Sequence, residues 1–257
     1  MKKILALVLV AAMLVLGLAA CGSANTDDGS DAAGAIKIGG TGPLTGGAAI
    51  YGTAVKNGAQ IAVDEINALG GLQFELRYED DVHDPEKAVT AYNTLKDWGM
   101  QISLGSVTSK PAVATSAEAA NDHIFYLTPS ASSTDVIGGV ANPLTGTVEI
   151  DRKANIFQLC FVDPNQGAAS ANYIAEKELG TKVAVIYKND DVYSTGIYNS
   201  FKTEAEKLSI DVVSVTTFTD DTSTDFSVQI AEAKKAGADL VFLPMYYEAA
   251  SQILIQA

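Results

Sequence analysis

Short β-type runs alternate with helical patterns along most of this 257-residue chain. In the first half, strand patterns at Ile36–Ile38 and Phe74–Tyr78 are separated by a helical pattern at about Tyr51–Leu69. Asp84 and Pro85 then provide an N-cap and a first-turn proline for the next helix. Single helices between successive strands are typical of βαβ units, so the pattern predicts an α/β protein with parallel sheets.

A second series of the same kind follows an irregular stretch at about residues 138–166. Its first and last helices are expected at Ala168–Leu179 and from Glu248 onward, and strands alternate with two further helices between them. The chain is long enough for two small domains, and we expect two βαβ lobes at residues 36–162 and 163–257. Because no strand follows the last helix, we also expect the sequence to be truncated within the second lobe.

The first twenty residues resemble the signal sequences of bacterial lipoproteins. Two lysines precede an uncharged apolar run over residues 4–18, which closes with Leu-Ala-Ala directly before Cys21. A membrane-spanning helix is the alternative, but the run only reaches the lower limit of spanning length. We expect a cleaved signal peptide at residues 1–20, a lipid anchor on Cys21 and a flexible tether at residues 21–35. The protein would then be exported, either lipid-anchored on the outer face of the bacterial cytoplasmic membrane or in the periplasm.

The charge of the chain argues against two classes of partner. The formal net charge is −14, and removal of the two signal-peptide lysines makes it −16. Such a surface does not favour nucleic acid or a polybasic contact with a membrane. The other cysteine, Cys160, has no intramolecular disulfide partner if Cys21 is lipidated, and we interpret it as a small buried apolar residue.

Polar loops follow several predicted strands, where open parallel sheets bind their ligands. Ser109 lies at the start of a helix, where hydroxyls and free N–H groups could hold a carboxylate, or where it could simply cap the helix. A second hydroxyl-rich loop contains Ser130 and Ser132, and the loops of the second series contribute Tyr193 and Tyr246. Two facing lobes could then close on a small ligand with a carboxylate and an apolar body.

Candidate catalytic and metal-binding residues are few. His83 and His123 are isolated, and we expect both at the surface or at a strand edge. The sequence contains neither a serine nucleophile elbow nor a paired-histidine metal motif. Two acidic loops, Asp80–Asp84 and Asp220–Asp225, lack the spacing of an EF-hand and are interpreted as solvated loops. We therefore expect no enzymatic activity, no metal and no cofactor.

An ordered set of short motifs extends from residue 36 to the end of the chain. The set comprises Gly42-Pro43-Leu44-Thr45-Gly46, Ala62-Val63-Asp64-Glu65-Ile66-Asn67, Thr128-Pro129-Ser130-Ala131, Asp163-Pro164-Asn165-Gln166-Gly167 and Asp191-Val192-Tyr193-Ser194-Thr195-Gly196. In this order the motifs resemble the leucine/isoleucine/valine-binding protein family of ABC-importer substrate-binding proteins. The resemblance implies the type I periplasmic-binding fold, in which two Rossmann-like lobes are joined by a hinge.

The resemblance also implies roles for individual residues. Four hydroxyl residues match those that bind the ligand carboxylate and ammonium, and three aromatic residues match those that enclose its side chain. The matching residues are Thr108, Ser109, Ser130 and Ser132, and Tyr51, Tyr193 and Tyr246. The short loop before Ser109 leaves Thr108 and Ser109 as alternatives for the carboxylate. The family's acidic ligand for the ammonium would lie beyond Ala257.

These features predict a monomeric binding protein that captures an amino acid, first of all leucine, isoleucine or valine, and delivers it to an ABC permease. The same fold binding an amide, urea or a short peptide, or serving as a sensor, is the alternative. An exported enzyme is a further alternative, which ligand turnover would reveal.

Overall fold

The computed structural model describes residues 34–142 and 144–257. The expected signal peptide at residues 1–20, the lipidation site Cys21 and nearly all of the tether at residues 21–35 lie outside the described residues. In the described part, the regular structure alternates between strands and helices from Ile36 to Gln256.

Five parallel strands of the described residues form one sheet, in the order β2-β1-β3-β4-β5. They are β1 (Ile36–Gly42), β2 (Phe74–Asp80), β3 (Ile102–Leu104), β4 (Phe125–Thr128) and β5 (Ile156–Gln158). The helices that follow the first three strands are α1 (Ala49–Ala68), α2 (Pro85–Asp97) and α3 (Ser109–Asp122). Because all strands are parallel, the loops after their carboxyl ends lie along one edge of the sheet.

Three further parallel strands form a second sheet in the order β7-β6-β8, again counting described residues only. They are β6 (Lys182–Lys188), β7 (Asp211–Phe218) and β8 (Leu240–Phe242). The accompanying helices are α4 (Asp163–Glu176), α5 (Val192–Lys207), α6 (Ser227–Lys235) and α7 (Tyr247–Gln256). The predicted α/β class with two parallel sheets is confirmed.

Two boundaries differ from the sequence-based expectation. The helix expected from Ala168 begins at Asp163, since Pro164 lies in its first turn and its fixed φ suits that position. The stretch expected to be irregular contains β5, a three-residue strand that pairs with β4 at the edge of the sheet. Such a short strand is specified by its pairing partner more than by its own pattern.

The apolar cores follow the predicted helical faces in most places. In α2, Ala88, Tyr92 and Leu95 are buried against the first sheet, and Asp84 caps the helix by accepting from the Lys87 N–H at 2.8 Å. In α1 the expected face is only partly covered, because Val63 is buried whereas Ile66 is 45% exposed. The second sheet packs mainly through α4 and α5, whose buried residues include Ile174, Phe201 and Ala205.

Position 52 requires a glycine, because the start of α1 lies close to the loop after β1. A Cβ atom at Gly52 would lie 1.9 Å from the carbonyl oxygen of Pro43, too close for any side chain. This contact sets the position of Tyr51, the neighbouring residue. Across the two described ranges, none of the helices has the length and apolar character needed to cross a membrane.

Candidate ligand-binding site

A cavity of about 200 Å³ lies between the loops of the first sheet and the tyrosines that follow the second. Six of the seven residues predicted to bind ligand line this cavity. They are Tyr51, Thr108, Ser130, Ser132, Tyr193 and Tyr246, together with Val107, Phe161 and Gln166. The seventh predicted residue, Ser109, is buried beside the cavity, and its backbone N–H donates to the Tyr246 hydroxyl at 3.3 Å.

The loops of the first sheet are joined by buried hydroxyl groups. Thr41 near the carboxyl end of β1 and Ser106 after β3 share a hydrogen bond of 2.6 Å between their hydroxyls. Thr128 at the end of β4 donates to the Ser106 carbonyl at 2.9 Å, and Ser130 donates to the Val107 carbonyl at 2.7 Å. Since the buried hydroxyls have partners, this side of the cavity is held in one arrangement before any ligand arrives.

Thr108 and Ser109 occupy different positions at the start of α3. Thr108 is the N-cap residue but makes no side-chain capping bond, and Ser109 is the first helical residue. The Ser109 hydroxyl accepts from the Ser133 N–H at 3.2 Å, which leaves its own hydrogen available to a ligand. Capping by the Ser109 side chain, one of the two sequence-based interpretations, is therefore not what the structure contains.

Tyr246 is the centre of the aromatic side of the cavity. Its ring stacks on Tyr193 with centroids 4.6 Å apart and tilts against Tyr51 at 5.6 Å. The Tyr51 hydroxyl accepts from the Tyr247 N–H at 3.3 Å, and Gln166 donates to the Tyr193 hydroxyl at 3.4 Å. These contacts connect α1 of the first half with α7 of the second, and they present ring faces and edges to an apolar ligand group.

His83, expected at the surface or at a strand edge, is partly buried in the loop after β2. Its Nδ1 lies 2.8 Å from the Thr108 hydroxyl, and its ring packs edge-on against Tyr246 with centroids 5.1 Å apart. Burial and the nearby Lys188 ammonium lower the pKa of the imidazole to about 4. His123, in contrast, is exposed at the C-terminus of α3, as expected.

Two buried carboxyl groups lie on the side of the second sheet. Burial, with a smaller contribution from the neighbouring Asp191, raises the pKa of Asp163 to about 7. Neither carboxylate oxygen of Asp163 has a hydrogen-bond partner among the described residues. Burial also raises the pKa of Asp191, although Lys188 opposes the effect, and one of its oxygens accepts from the Ser194 N–H at 3.2 Å.

The acidic loop after β2 organises the backbone instead of lying free in solvent. Asp80 accepts from the N–H groups of Leu44 at 2.7 Å and Val82 at 2.9 Å. Asp81 is fully buried and accepts from the His83 N–H at 3.0 Å, and burial raises its pKa to about 6. The interpretation of a solvated loop is therefore wrong for Asp81. Within residues 34–142 and 144–257, no group of three or more His, Cys, Asp or Glu side chains could hold a metal ion.

Sequence reasoning missed four residues of the site. Phe161 lies between β5 and α4 and Gln166 lies in the first turn of α4, both within the stretch that the sequence predicted to be irregular, although Gln166 belongs to one of the motifs quoted above. Val107 lies beside two predicted residues. His83 lies in the loop after β2, and the position of ligand loops at carboxyl ends of strands could have identified it. Cys160, expected to be buried, is only half-buried.

The chain belongs to the periplasmic binding protein family, whose sequence pattern matches residues 35–257. The fold and the family assignment agree with the resemblance noted from the motifs. This family and this fold are those of substrate-binding proteins.

The relatives have names that describe amino-acid binding. The chain is 32% identical over 215 residues to a Leu/Ile/Val-binding protein homolog of Brucella melitensis, covering 82% of this chain and 55% of the relative. It is 29% identical to a leucine-, isoleucine-, valine-, threonine- and alanine-binding protein of Pseudomonas aeruginosa, covering 97% of this chain and 62% of that protein. The chain thus spans little more than half the length of these curated relatives.

A solved structure also resembles this one closely. It is the branched-chain amino acid transporter substrate-binding protein LivJ of Streptococcus pneumoniae in complex with isoleucine. The two chains are 30% identical with a TM-score of 0.75, and the match covers 87% of this chain and 60% of LivJ.

Proposed function

We propose that this protein is the substrate-binding component of an ABC importer and binds an amino acid with a branched aliphatic side chain. The observation that carries the proposal is the cavity of about 200 Å³, in which hydroxyl-bearing loops face a group of tyrosines. Leucine, isoleucine and valine have the matching chemistry, since each combines a carboxylate with a compact apolar group. The names of the relatives support this choice.

In this proposal the carboxylate lies against the hydroxyl side of the cavity. Ser109 and Thr108 are at the N-terminus of the 14-residue helix α3, where the helix dipole favours an anion. Ser130 and Ser132 lie across from them after β4, and the Ser132 hydroxyl is the second candidate for the carboxylate or the ammonium. Charge-assisted hydrogen bonds from such donors hold a carboxylate more strongly than neutral bonds do.

The side chain of the ligand would lie against the tyrosines. Tyr193 and Tyr246 form one wall by stacking, and Tyr51 closes it from α1. We further propose that residues 36–162 and 163–257 act as two lobes that close about a hinge, as the contacts between Tyr246 and the first half suggest. Affinity then includes the free energy of closing.

The remaining parts of the proposal concern the whole protein. We propose that it is exported, is anchored by a lipid on Cys21, and passes its ligand as a monomer to membrane-bound permease subunits. The lipoprotein-like first twenty residues support the anchor. In a Cys21→Ala variant, the precursor should stay uncleaved or the protein should be released. Mature-sized protein in the membrane fraction would contradict the anchor.

A thermal-shift screen of the twenty amino acids on the full-length protein tests the binding function. A ligand at a hundredfold excess over its Kd stabilises a protein by about 2.7 kcal/mol. We expect leucine, isoleucine or valine to raise the melting temperature most, and no ligand to be turned over. A panel with no response to amino acids but a response to urea, an amide or a short peptide would contradict the proposed ligand while keeping a binding function.

A further inference from the structure

We propose that His83 is a positioning residue of the ligand site. It holds the Thr108 hydroxyl on one side of the cleft, the space between residues 36–162 and residues 163–257, and the Tyr246 ring on the other side. This inference rests on the proposed function. It specifies how the Thr108 hydroxyl, a candidate partner of the ligand carboxylate, and the Tyr246 ring, part of the aromatic side, are held in fixed positions relative to each other. His83 itself is absent from the set of residues that line the 200 Å³ cavity.

The backbone at His83 adopts a conformation that few side chains tolerate. Val82 and His83 have φ values of 52° and 62°, so two consecutive residues other than glycine are in the left-handed region. This conformation is unusual, above all for a β-branched residue such as Val82. Asp80 and Asp81 hold it by accepting from the N–H groups of Val82 and His83 at 2.9 and 3.0 Å. Strain of this kind is retained where it aims a functional group.

The result of this backbone turn is a bond between His83 and a buried hydroxyl. Thr108 is only 2% exposed, and its Oγ1 lies 2.8 Å from Nδ1 of His83. If Nδ1 carries the proton, it donates to Thr108 and leaves the threonine hydrogen free for a ligand carboxylate. If Nδ1 is unprotonated, it takes the threonine hydrogen, and the hydroxyl can then only accept from a ligand ammonium. The tautomer of His83 thus decides which ligand group Thr108 can bind.

The other contact of His83 crosses to the second half of the molecule. Its ring packs edge-on against the Tyr246 ring. The Tyr246 hydroxyl in turn accepts from the Ser109 N–H at 3.3 Å. His83 and Tyr246 also line a larger cavity of about 390 Å³ on the Lys188 side of the cleft. Closing of the cleft therefore brings His83 against Tyr246, and opening it would return the imidazole to water.

Burial and the balance of nearby charges keep the His83 imidazole neutral in this arrangement. The groups that act on it or share its cavity are Lys188, Asp220, Lys110, Asp84, Asp191 and Glu248. Burial is the largest effect, Lys188 adds to it, and together they lower the pKa to about 4 despite Asp220 and Asp84. An exposed histidine titrates near 6.5. Below that pH an open cleft would bind a proton that the closed cleft must release, so acid should weaken ligand binding.

Calorimetry with isoleucine on the full-length protein tests the proposal through three variants. His83→Ala should weaken binding about tenfold at pH 7.5, and His83→Asn should recover most of the loss, since the Asn amide can reach Thr108 and tolerates the left-handed backbone. Wild-type affinity should fall several-fold between pH 7.5 and 5, and that of His83→Asn should fall less. His123→Asn, a matched change at a left-handed position with φ of 58°, should behave as wild type. A His83→Ala variant that binds isoleucine like wild type at both pH values would overturn the proposal.

A second measurement follows the histidines directly and separates this proposal from the proposed function. The chain has two histidines, so their ring signals can be titrated by NMR with and without isoleucine. The His83 imidazole should titrate at lower pH with saturating isoleucine than without it, and Thr108→Val should reduce that difference. A His83 titration that isoleucine and Thr108→Val both leave unchanged would overturn the role of His83, whereas failure of wild type to bind any amino acid would contradict the function alone.

Discussion

The two sides of the 200 Å³ cavity are built on different principles. On the side of the first sheet, serine and threonine hydroxyls are bonded to one another and to backbone groups at the carboxyl ends of three adjacent strands, β1, β3 and β4. On the side of the second sheet, stacked tyrosines present their rings, and behind them the buried carboxyl of Asp163 has no hydrogen-bond partner among the described residues. The hydroxyl side is thus ordered by its own hydrogen bonds before a ligand binds, whereas the tyrosine side is ordered largely by contacts across the cleft.

The difference indicates how the two sides would share the recognition of an amino acid. Directional hydrogen bonds fix the polar end of a ligand, whereas aromatic surfaces accept several apolar shapes at similar cost. Selectivity for the amino-acid group should therefore come from the first side, and tolerance among aliphatic side chains from the second. The variants below test this division.

The largest expected effect is that of Tyr246→Ala. The ring stacks on Tyr193 and contacts Tyr51 and His83 of the first half, and its hydroxyl accepts from the Ser109 N–H, so its loss removes three contacts across the cleft. Central aromatic residues of binding sites contribute about 2 kcal/mol or more, which corresponds to roughly 30-fold in affinity. Calorimetry with isoleucine measures the loss. Tyr173→Ala, at an exposed tyrosine of α4 outside the cavity lining, is the matched control. Equal losses in both variants would contradict the central place of Tyr246.

Ser109→Ala should have the next largest effect, on the first side of the cavity. A hydrogen bond to a charged group contributes about 1.5–3 kcal/mol, so the variant should bind isoleucine about tenfold more weakly or worse. Ser116→Ala is the matched control, since Ser116 is a buried serine of the same helix that bonds the Val113 carbonyl away from the cavity. If Ser109→Ala binds with unchanged affinity, the carboxylate lies on Thr108 or on backbone N–H groups.

The smallest expected effect concerns the unpaired carboxyl behind the tyrosines. Asp163 has a pKa raised to about 7, whereas an unfolded aspartate titrates near 3.9. Between these values the folded state holds a proton that the unfolded state has released, so Asp163 lowers the free energy of unfolding as pH rises from about 4 to 7. Asp163→Asn should therefore raise stability at pH 8 by about 1 kcal/mol or more, and should give no gain near pH 4.

Thermal unfolding at the two pH values measures this difference. The control Asp225→Asn should have the opposite sign, because the Asp225 carboxylate accepts from the Ser227 N–H and its pKa is lowered. Asp225→Asn should then lose a little stability at pH 8. An Asp163→Asn variant that is destabilised equally at both pH values would mean that the Asp163 charge has little effect on the fold.

Much of this arrangement was predictable from local sequence. The strand and helix order, the cap at Asp84 and the turn at Gly70 and Gly71, with φ of 75° and 87°, all follow from local patterns. Six of the seven predicted site residues lie around one cavity, because loops after parallel strands meet at one edge. Their roles toward a ligand stay predictions.

The features that sequence reasoning missed depend on contacts between distant residues. β5 exists because Ile156–Gln158 pairs with β4, and three residues are too few to show a strand pattern. His83 acquires its position from a left-handed backbone that Asp80 and Asp81 hold, and no local pattern predicts a φ of 62° for a histidine. Burial of Asp81 likewise results from packing of the loop, which composition alone cannot reveal.

A crystal structure of the full-length protein with isoleucine would decide the proposed binding mode. We predict one ligand in the cavity lined by Thr108, Ser130 and Tyr193, with its carboxylate within hydrogen-bond distance of the hydroxyls and the Ser109 region, and its side chain against Tyr193 and Tyr246. Isoleucine bound instead in the larger cavity beside Lys188, or with its carboxylate turned toward the tyrosines, would contradict this binding mode.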